Sequence, residues 1–295
     1  MENLRGILLM VVAMGAFAIE DTFIKTLAPA VPVGQILLII GVVSGGSFAA
    51  YAHLRGARLL GPALWSKPVL WRTLCEIVGT ISFMTAITTI PLATASAIAQ
   101  AMPLVITLGA ALFFGEEVGW RRWSAIGVGL AGVLIILRPG TAEFDPNTLW
   151  AVVAVFALAA RDLCVRAVPA EIGHLQVAAY GLLSAIPSGL LLMPFTGGPV
   201  AQNATQTLLL AGAVVAGGLA YYALTSASRT GQVSVVTPFR FSRILFALIL
   251  GAVFFGERPD LWTLLGATLI VGSGIFTLLR ERRAARIAVS KHRYR

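Results

Sequence analysis

Charge is scarce in this chain of 295 residues: only 12% of positions are Asp, Glu, Lys or Arg, with 13 acids against 22 bases. That is about half the charged fraction of a typical soluble domain, so an ordinary soluble globular protein is a poor fit. Cysteine is nearly absent, and both copies, Cys75 and Cys164, fall inside apolar runs, which argues against a structural disulfide or a zinc site. The three histidines, His53, His174 and His292, lie in loops or the tail without paired metal spacing, and no catalytic set accompanies them. A phosphate-cradling Gly-x-x-x-x-Gly-Lys loop is missing too, which argues against ATP hydrolysis. The expectation is a protein that is not an enzyme and needs no cofactor or metal.

Apolar residues fill the space that charge leaves. They make up 58% of the chain, at a mean hydropathy of +0.87. A membrane span needs about 20 mostly apolar residues, and ten such runs are present: about 4–27, 32–53, 69–90, 92–114, 122–138, 148–168, 174–195, 206–228, 232–256 and 261–280. The fold class that follows is an all-α integral membrane protein with ten transmembrane helices. Ala28-Pro-Ala30 resembles a signal-peptide cleavage site, but Glu20, Asp21 and Lys25 interrupt the preceding apolar stretch and argue against one.

The net charge of +9 does not call for nucleic acid, because the basic residues sort by side. With the N-terminus inside, Arg5, Arg55, Arg58, Lys67, Arg72, Arg121, Arg122, Arg166, Arg229 and the seven bases from Arg280 to Arg295 fall on the inner side; only Lys25, Arg138 and Arg258 fall outside. Both termini are therefore expected in the cytoplasm of a bacterial-type inner membrane. The basic tail from about 281 reads as a solvated anchor against anionic lipid.

The chain also reads as one sequence written twice. Phe113-Phe114-Gly115-Glu116 recurs as Phe254-Phe255-Gly256-Glu257, an offset of 141 that also carries Asp21 to Asp162, Lys25 to Arg166 and Gln35 to Gln176. The halves are 1–140 and 141–295, joined by the polar turn from Arg138 to Asn147. Five spans in each half make the second copy enter the membrane from the opposite side. Such inverted repeats are typical of secondary transporters, whose sites lie at the repeat interface near the midplane.

Ten spans in two halves resemble the drug/metabolite transporter superfamily, EamA type. The features that carry the resemblance are Phe-Phe-Gly-Glu closing the fourth and ninth spans, Trp123 to Gly127 and Trp262 to Gly266 opening the fifth and tenth, and Arg138-Pro-Gly140 after the fifth. A weaker resemblance, through Trp120-Arg-Arg-Trp123 and Pro238-Phe-Arg-Phe241, is to the branch of S-adenosylmethionine and riboflavin uptake proteins. The chain departs from the amino-acid exporters, which carry Leu-Trp-Pro where Ala101-Met-Pro103 stands here.

Ionisable residues inside spans are costly and mark function. Arg240 and Arg243, three apart on one face of the ninth span, are the leading candidates for a substrate clamp. Glu76 lies at a matching depth in the third span and is expected either to pair with one of them or to carry a coupling proton. Gln100, Thr80 and Thr237 could satisfy an amine or hydroxyl, and Tyr221 could line the pocket. Gating or coupling is expected of two clusters: Glu20, Asp21 and Lys25, with Asp21 and Lys25 spaced to pair at i, i+4; and Arg161, Asp162 and Arg166 in the second half. Structural ion pairs at helix ends are the alternative for both. Pro103 and Pro238 permit kinks in the fourth and ninth spans and are expected to let those helices bend during gating, although proline is common in ordinary spans too. The glycine-rich fifth and tenth spans suit helix packing or a homodimer face.

The reading that joins these features is a secondary transporter of a small organic metabolite, an amino acid or related carboxylate, crossing the bilayer by alternating access with or without proton or ion coupling. S-adenosylmethionine- or riboflavin-type uptake is one alternative. A cation-drug exporter or a lipid flippase is another.

Overall fold

A computed structural model describes the chain apart from residues 1, 58, 60, 117, 170, 231–232 and 294–295. Among the described residues, ten helices are long and apolar enough to cross a membrane. They are α1 Glu2–Leu27, α2 Val33–Leu54, α3 Lys67–Thr89, α4 Leu92–Phe114, α5 Trp120–Leu137, α6 Thr148–Val165, α7 Gln176–Thr196, α8 Ala204–Ala227, α9 Thr237–Phe255 and α10 Leu261–Arg280, the last continuing as helix to Arg293. Helices are what a bilayer allows, because each satisfies its own backbone hydrogen bonds where water is lacking. Arg58, Gln232 and the tail side chains beyond 280 lie outside what is described. We call the face on which α1 begins the near face and the opposite one the far face.

The two Phe-Phe-Gly-Glu motifs are helix stops. Gly115 and Gly256 adopt left-handed φ of 66° and 63°, and the next amide reaches back to Ala110 O at 3.3 Å in one copy and Gly251 O at 3.0 Å in the other. Glycine is favoured there because a Cβ is strained at such a φ, and the turn closes the last carbonyls of the helix. The motif therefore delivers a glutamate to a fixed place just beyond the end of α4 and of α9.

Packing joins the halves rather than separating them. Helix α1 lies against α8 and α9, α6 against α3 and α4, α2 against α7, and α5 against α10. Exchanging the halves leaves this scheme of neighbours unchanged. The closest approach of α5 to α10 is at Gly132 and Gly266, where a Cβ on either would come within 2.7 Å or 2.5 Å of the other's carbonyl oxygen. Small residues of this kind let helices pack tightly where water cannot drive association.

The main core fills the far half. Ile24 and Leu27 of α1, Ile87 of α3, Leu92 and Ile98 of α4 and Ile270 of α10 are all fully buried in one cluster. The near half is looser, and there the helices are irregular. Helix α4 breaks at Gln100 and Ala101, α9 begins as a 3-10 turn over Thr237–Phe241, and α2 carries a π-turn over Gly41–Gly45. Pro103 does not kink a continuous helix, as the sequence suggests, but sits in the first turn of Met102–Phe114 just after a break, where a missing N–H leaves no carbonyl unserved. Pro238 sits in a continuous helical stretch that passes from α over Val233–Val236 to 3-10 over Thr237–Phe241 and back to α from Ser242.

Candidate functional site

Beside the break in α4 and the 3-10 segment of α9 lies a cavity of about 450 Å³ in the near half. Its walls come from α1 (Met14, Phe17), α3 (Arg72, Glu76, Phe83), α4 (Gln100), α6 (Arg161, Asp162), α7 (Gly181), α8 (Tyr221) and α9 (Arg240, Arg243). Seven of the ten spans thus meet at one chamber. Interrupted helices suit such a place, since irregular backbone survives in a membrane only where it lines a cavity or is buried in protein.

The charged groups are mostly committed to one another. Glu76 of α3 is gripped twice, by Arg72 Nη2 at 3.2 Å and by Arg161 Nη1 at 2.7 Å. Arg161 also holds Asp162 Oδ1 at 2.8 Å through Nη2. Arg243 donates to Asp21 Oδ2 at 2.6 Å and lies between the rings of Phe17 and Phe83, 5.4 Å and 5.2 Å from their centroids. Four guanidiniums, Arg72, Arg161, Arg240 and Arg243, therefore face three carboxylates, Glu76, Asp162 and Asp21. Arg240 is the one left over. Among the described residues it makes no ion pair within 4 Å; Asp162, already held by Arg161, acts on it only at longer range. Its side chain is open to the cavity, and its own carbonyl accepts from Gln100 Nε2 at 3.5 Å.

Several expected pairings are corrected. Glu76 does not pair with Arg240 or Arg243; Arg72, one turn below it on α3, and Arg161 take it instead. Asp21 and Lys25 do not pair along α1, because Asp21 faces α9 and Lys25 faces the opening of α4. Tyr221 and Gln100 line the cavity as expected, but Thr80 does not. Thr237 lines a smaller adjoining pocket of about 230 Å³ with Pro103, Arg240, Glu116 and Arg166. Glu20 points away from the central cavity into a neighbouring one of about 400 Å³.

Lys25 and Arg166 lie toward opposite faces of the bundle. On the far face, Lys25 Nζ lies 2.7 Å from Glu257 Oε1, donates to Ile90 O at 2.6 Å and sits 5.2 Å from the Phe255 ring centroid. On the near face, Arg166 pairs with Glu116 and lies 5.8 Å from the Phe114 ring centroid. The offset of 141 relates the ion pairs and rings of the two sets: Lys25 to Arg166, Glu116 to Glu257 and Phe114 to Phe255. Each pair joins one half of the chain to the other.

Arg72, Glu116 and Glu257 were not singled out as site residues by sequence reasoning. Signals existed for all three. Arg72 stands i, i+4 from Glu76, and the repeat offset that relates the bases Lys25 and Arg166 also relates the acids Glu116 and Glu257. Cys75 and Cys164 are free thiols.

Comparison with known proteins places this geometry in context. The EamA-like transporter family is matched twice, over residues 4–138 and 146–279. A riboflavin transporter of Rhizobium johnstonii is 31% identical over 246 residues, covering 81% of this chain and 80% of that protein. An S-adenosylmethionine uptake transporter of Rickettsia felis is 26% identical over 72% of each chain. A pseudopaline exporter of Pseudomonas aeruginosa is 29% identical, covering 90% of this chain and 93% of that one. A solved crystal structure shares the fold with a TM-score of 0.59 at 21% identity, covering 95% of this chain and 98% of its own.

Proposed function

We propose that this chain, which belongs to the EamA-like transporter family, is a secondary transporter that binds the carboxylate of a small organic metabolite in its central cavity and moves it by alternating access. Family membership and the ten apolar helices make it a multi-pass membrane transporter and not an enzyme. The finer reading rests on one observation: Arg240 presents the cavity's unmatched positive charge, in a span where such a charge is costly unless something answers it. A guanidinium offers a planar fork of donors that fits a carboxylate. Gln100, beside it at the break of α4, supplies further polar contact for a hydroxyl or amine.

The ends of the pathway supply the gates. In this reading the halves are inverted repeats of about 1–140 and 141–295, and Lys25–Glu257 and Arg166–Glu116 are one latch used twice. Both latches are formed; the far one is buried against the packed core and the near one is half-exposed beside the cavity, so release of the near pair would open the cavity inward if the termini are cytoplasmic. The excess of Lys and Arg on the near-side loops supports that orientation in an inner membrane. Relatives named for uptake and for export stand in the same family, as a device symmetric about the midplane allows.

Thermal unfolding of the detergent-purified protein tests the clamp. Carboxylates at a hundred times Kd should stabilise the wild type by about 2.7 kcal/mol and leave Arg240→Gln unmoved. Stabilisation by cations alone, equal in both proteins, would make Arg240 structural and favour a cation exporter.

A further inference from the structure

The central cavity shares Phe17, Leu182 and Tyr221 with the neighbouring cavity of about 400 Å³ between α1, α2, α7 and α8. The second chamber has a different chemistry. Its ionisable group is the carboxyl of Glu20, which lies against the bare backbone of Gly217: a Cβ there would come within 2.4 Å of Oε1. Glu20 makes no hydrogen bond or ion pair among the described residues, although its neighbour Asp21 is fully engaged by Arg243. The chamber is also aromatic. Phe17, Phe48, Tyr51 and Tyr221 line the chamber, with Phe48 edge-on to Tyr221 at 5.4 Å between centroids. The π-turn of α2 brings Ser44 to the same wall, and its hydroxyl is buried with no partner. Single π-turns inside α-helices often mark functional sites.

A guanidinium and a carboxyl, neither with a direct partner, thus stand in adjoining chambers with Phe17 and Tyr221 common to both. We propose that the chambers form one bipartite site for a zwitterion whose charges are far apart: its carboxylate goes to Arg240, and its cationic, alkyl- or ring-bearing end goes to the aromatic chamber and Glu20. This rests on the anion reading of Arg240 above. A carboxylate and aromatic faces together recognise an alkylated cation, by ion pairing and by attraction to the ring quadrupoles. A zwitterion of this kind neutralises both chambers at once, so the loaded site carries no unpaired charge through the membrane. Ordinary α-amino acids fit poorly, because one carbon bears both their charges and cannot place them on both sides of Phe17.

The test uses the full-length protein in detergent and three kinds of probe: benzoate, benzyltrimethylammonium, and a series of trimethylammonio-carboxylates running from glycine betaine to longer methylene spacers. Midpoints of thermal unfolding give apparent Kd values for the wild type, Arg240→Gln, Glu20→Gln and Tyr51→Leu. Benzyltrimethylammonium should bind the wild type and Arg240→Gln alike, and at least about tenfold more weakly to Glu20→Gln and Tyr51→Leu, a loss of about 1.4 kcal/mol. In the series, affinity should rise with spacer length to a maximum above that of either single-charge probe, and glycine betaine should bind weakly. Tyr51 is a partly exposed wall residue, so its variant guards against a Glu20→Gln protein that fails to fold. The proposal is overturned if benzyltrimethylammonium does not bind, if neither variant weakens it, or if affinity ignores spacer length. Benzoate reports separately: its loss in Arg240→Gln upholds the anion site even when the second chamber fails, and its retention there defeats the anion reading itself.

Discussion

The two latches are built from the same residues of the repeat and yet are not in the same condition. Lys25 and Glu257 on the far face have side chains only 15% and 10% exposed, whereas Arg166 and Glu116 on the near face are 45% exposed each. The far glutamate is also used twice. Beyond holding Lys25, Glu257 accepts from the backbone amides of Leu92 at 2.9 Å and Ala93 at 3.4 Å, the first turn of α4. A carboxylate there satisfies donors that no helix carbonyl can reach and meets the positive end of the helix dipole. One motif thus makes a buried pair on one face and a half-exposed pair on the other.

The largest effect should come from breaking the far lock. Glu257→Ala leaves the Lys25 ammonium with Ile90 O and the Phe255 ring but no counter-charge and leaves two amides without their acceptor, and loss of one partner from a buried pair costs about 3–5 kcal/mol; the unfolding midpoint should fall sharply and transport should be lost. Charge reversal sharpens the contrast. Lys25→Glu with Glu257→Lys should recover only part of that loss, since a lysine cannot accept from Leu92 and Ala93, whereas Arg166→Glu with Glu116→Arg should come close to the wild-type midpoint. Glu116→Ala should cost at most about 1 kcal/mol, in the range of exposed pairs, and should act on transport rate rather than on stability. The smallest difference is in salt. Raising NaCl from 0.15 to 1 M shortens the screening length from about 8 to about 3 Å, so the coupling energy of the near pair in a double-mutant cycle should fade while that of the far pair holds.

What was legible in the sequence was the part with short range. All ten spans follow from apolar runs, and the helix stops follow from Phe-Phe-Gly-Glu because glycine's left-handed turn is a local matter. Arg240 and Arg243 stand out for being charged within a span, and both line the cavity. The partners were not legible, because a charge inside a membrane takes whichever counter-ion the packing brings up. Lys25 finds Glu257, 232 residues away, and Arg243 finds Asp21, 222 residues away. The spacing of Asp21 and Lys25 permits a pair along α1, but α1 turns those two residues toward different neighbours. Arg72 was hidden for another reason: near a span's end it reads as a loop charge of the positive-inside kind, yet it is only 7% exposed and grips Glu76. The second chamber depends on a π-turn in α2 that no pattern in Gly41 to Gly45 announces.

The central claim is that the far latch holds one face shut and that opening it is the other half of the cycle. The most direct measurement is the distance distribution between spin labels at Ala30→Cys and Arg258→Cys on the far face, in a protein carrying Cys75→Ala and Cys164→Ala and reconstituted in lipid. The account predicts a narrow, short distribution with Glu257 present and a second, longer population with Glu257→Gln. A distribution unchanged by that substitution would contradict it, and Lys25–Glu257 would then be a structural pair and no gate.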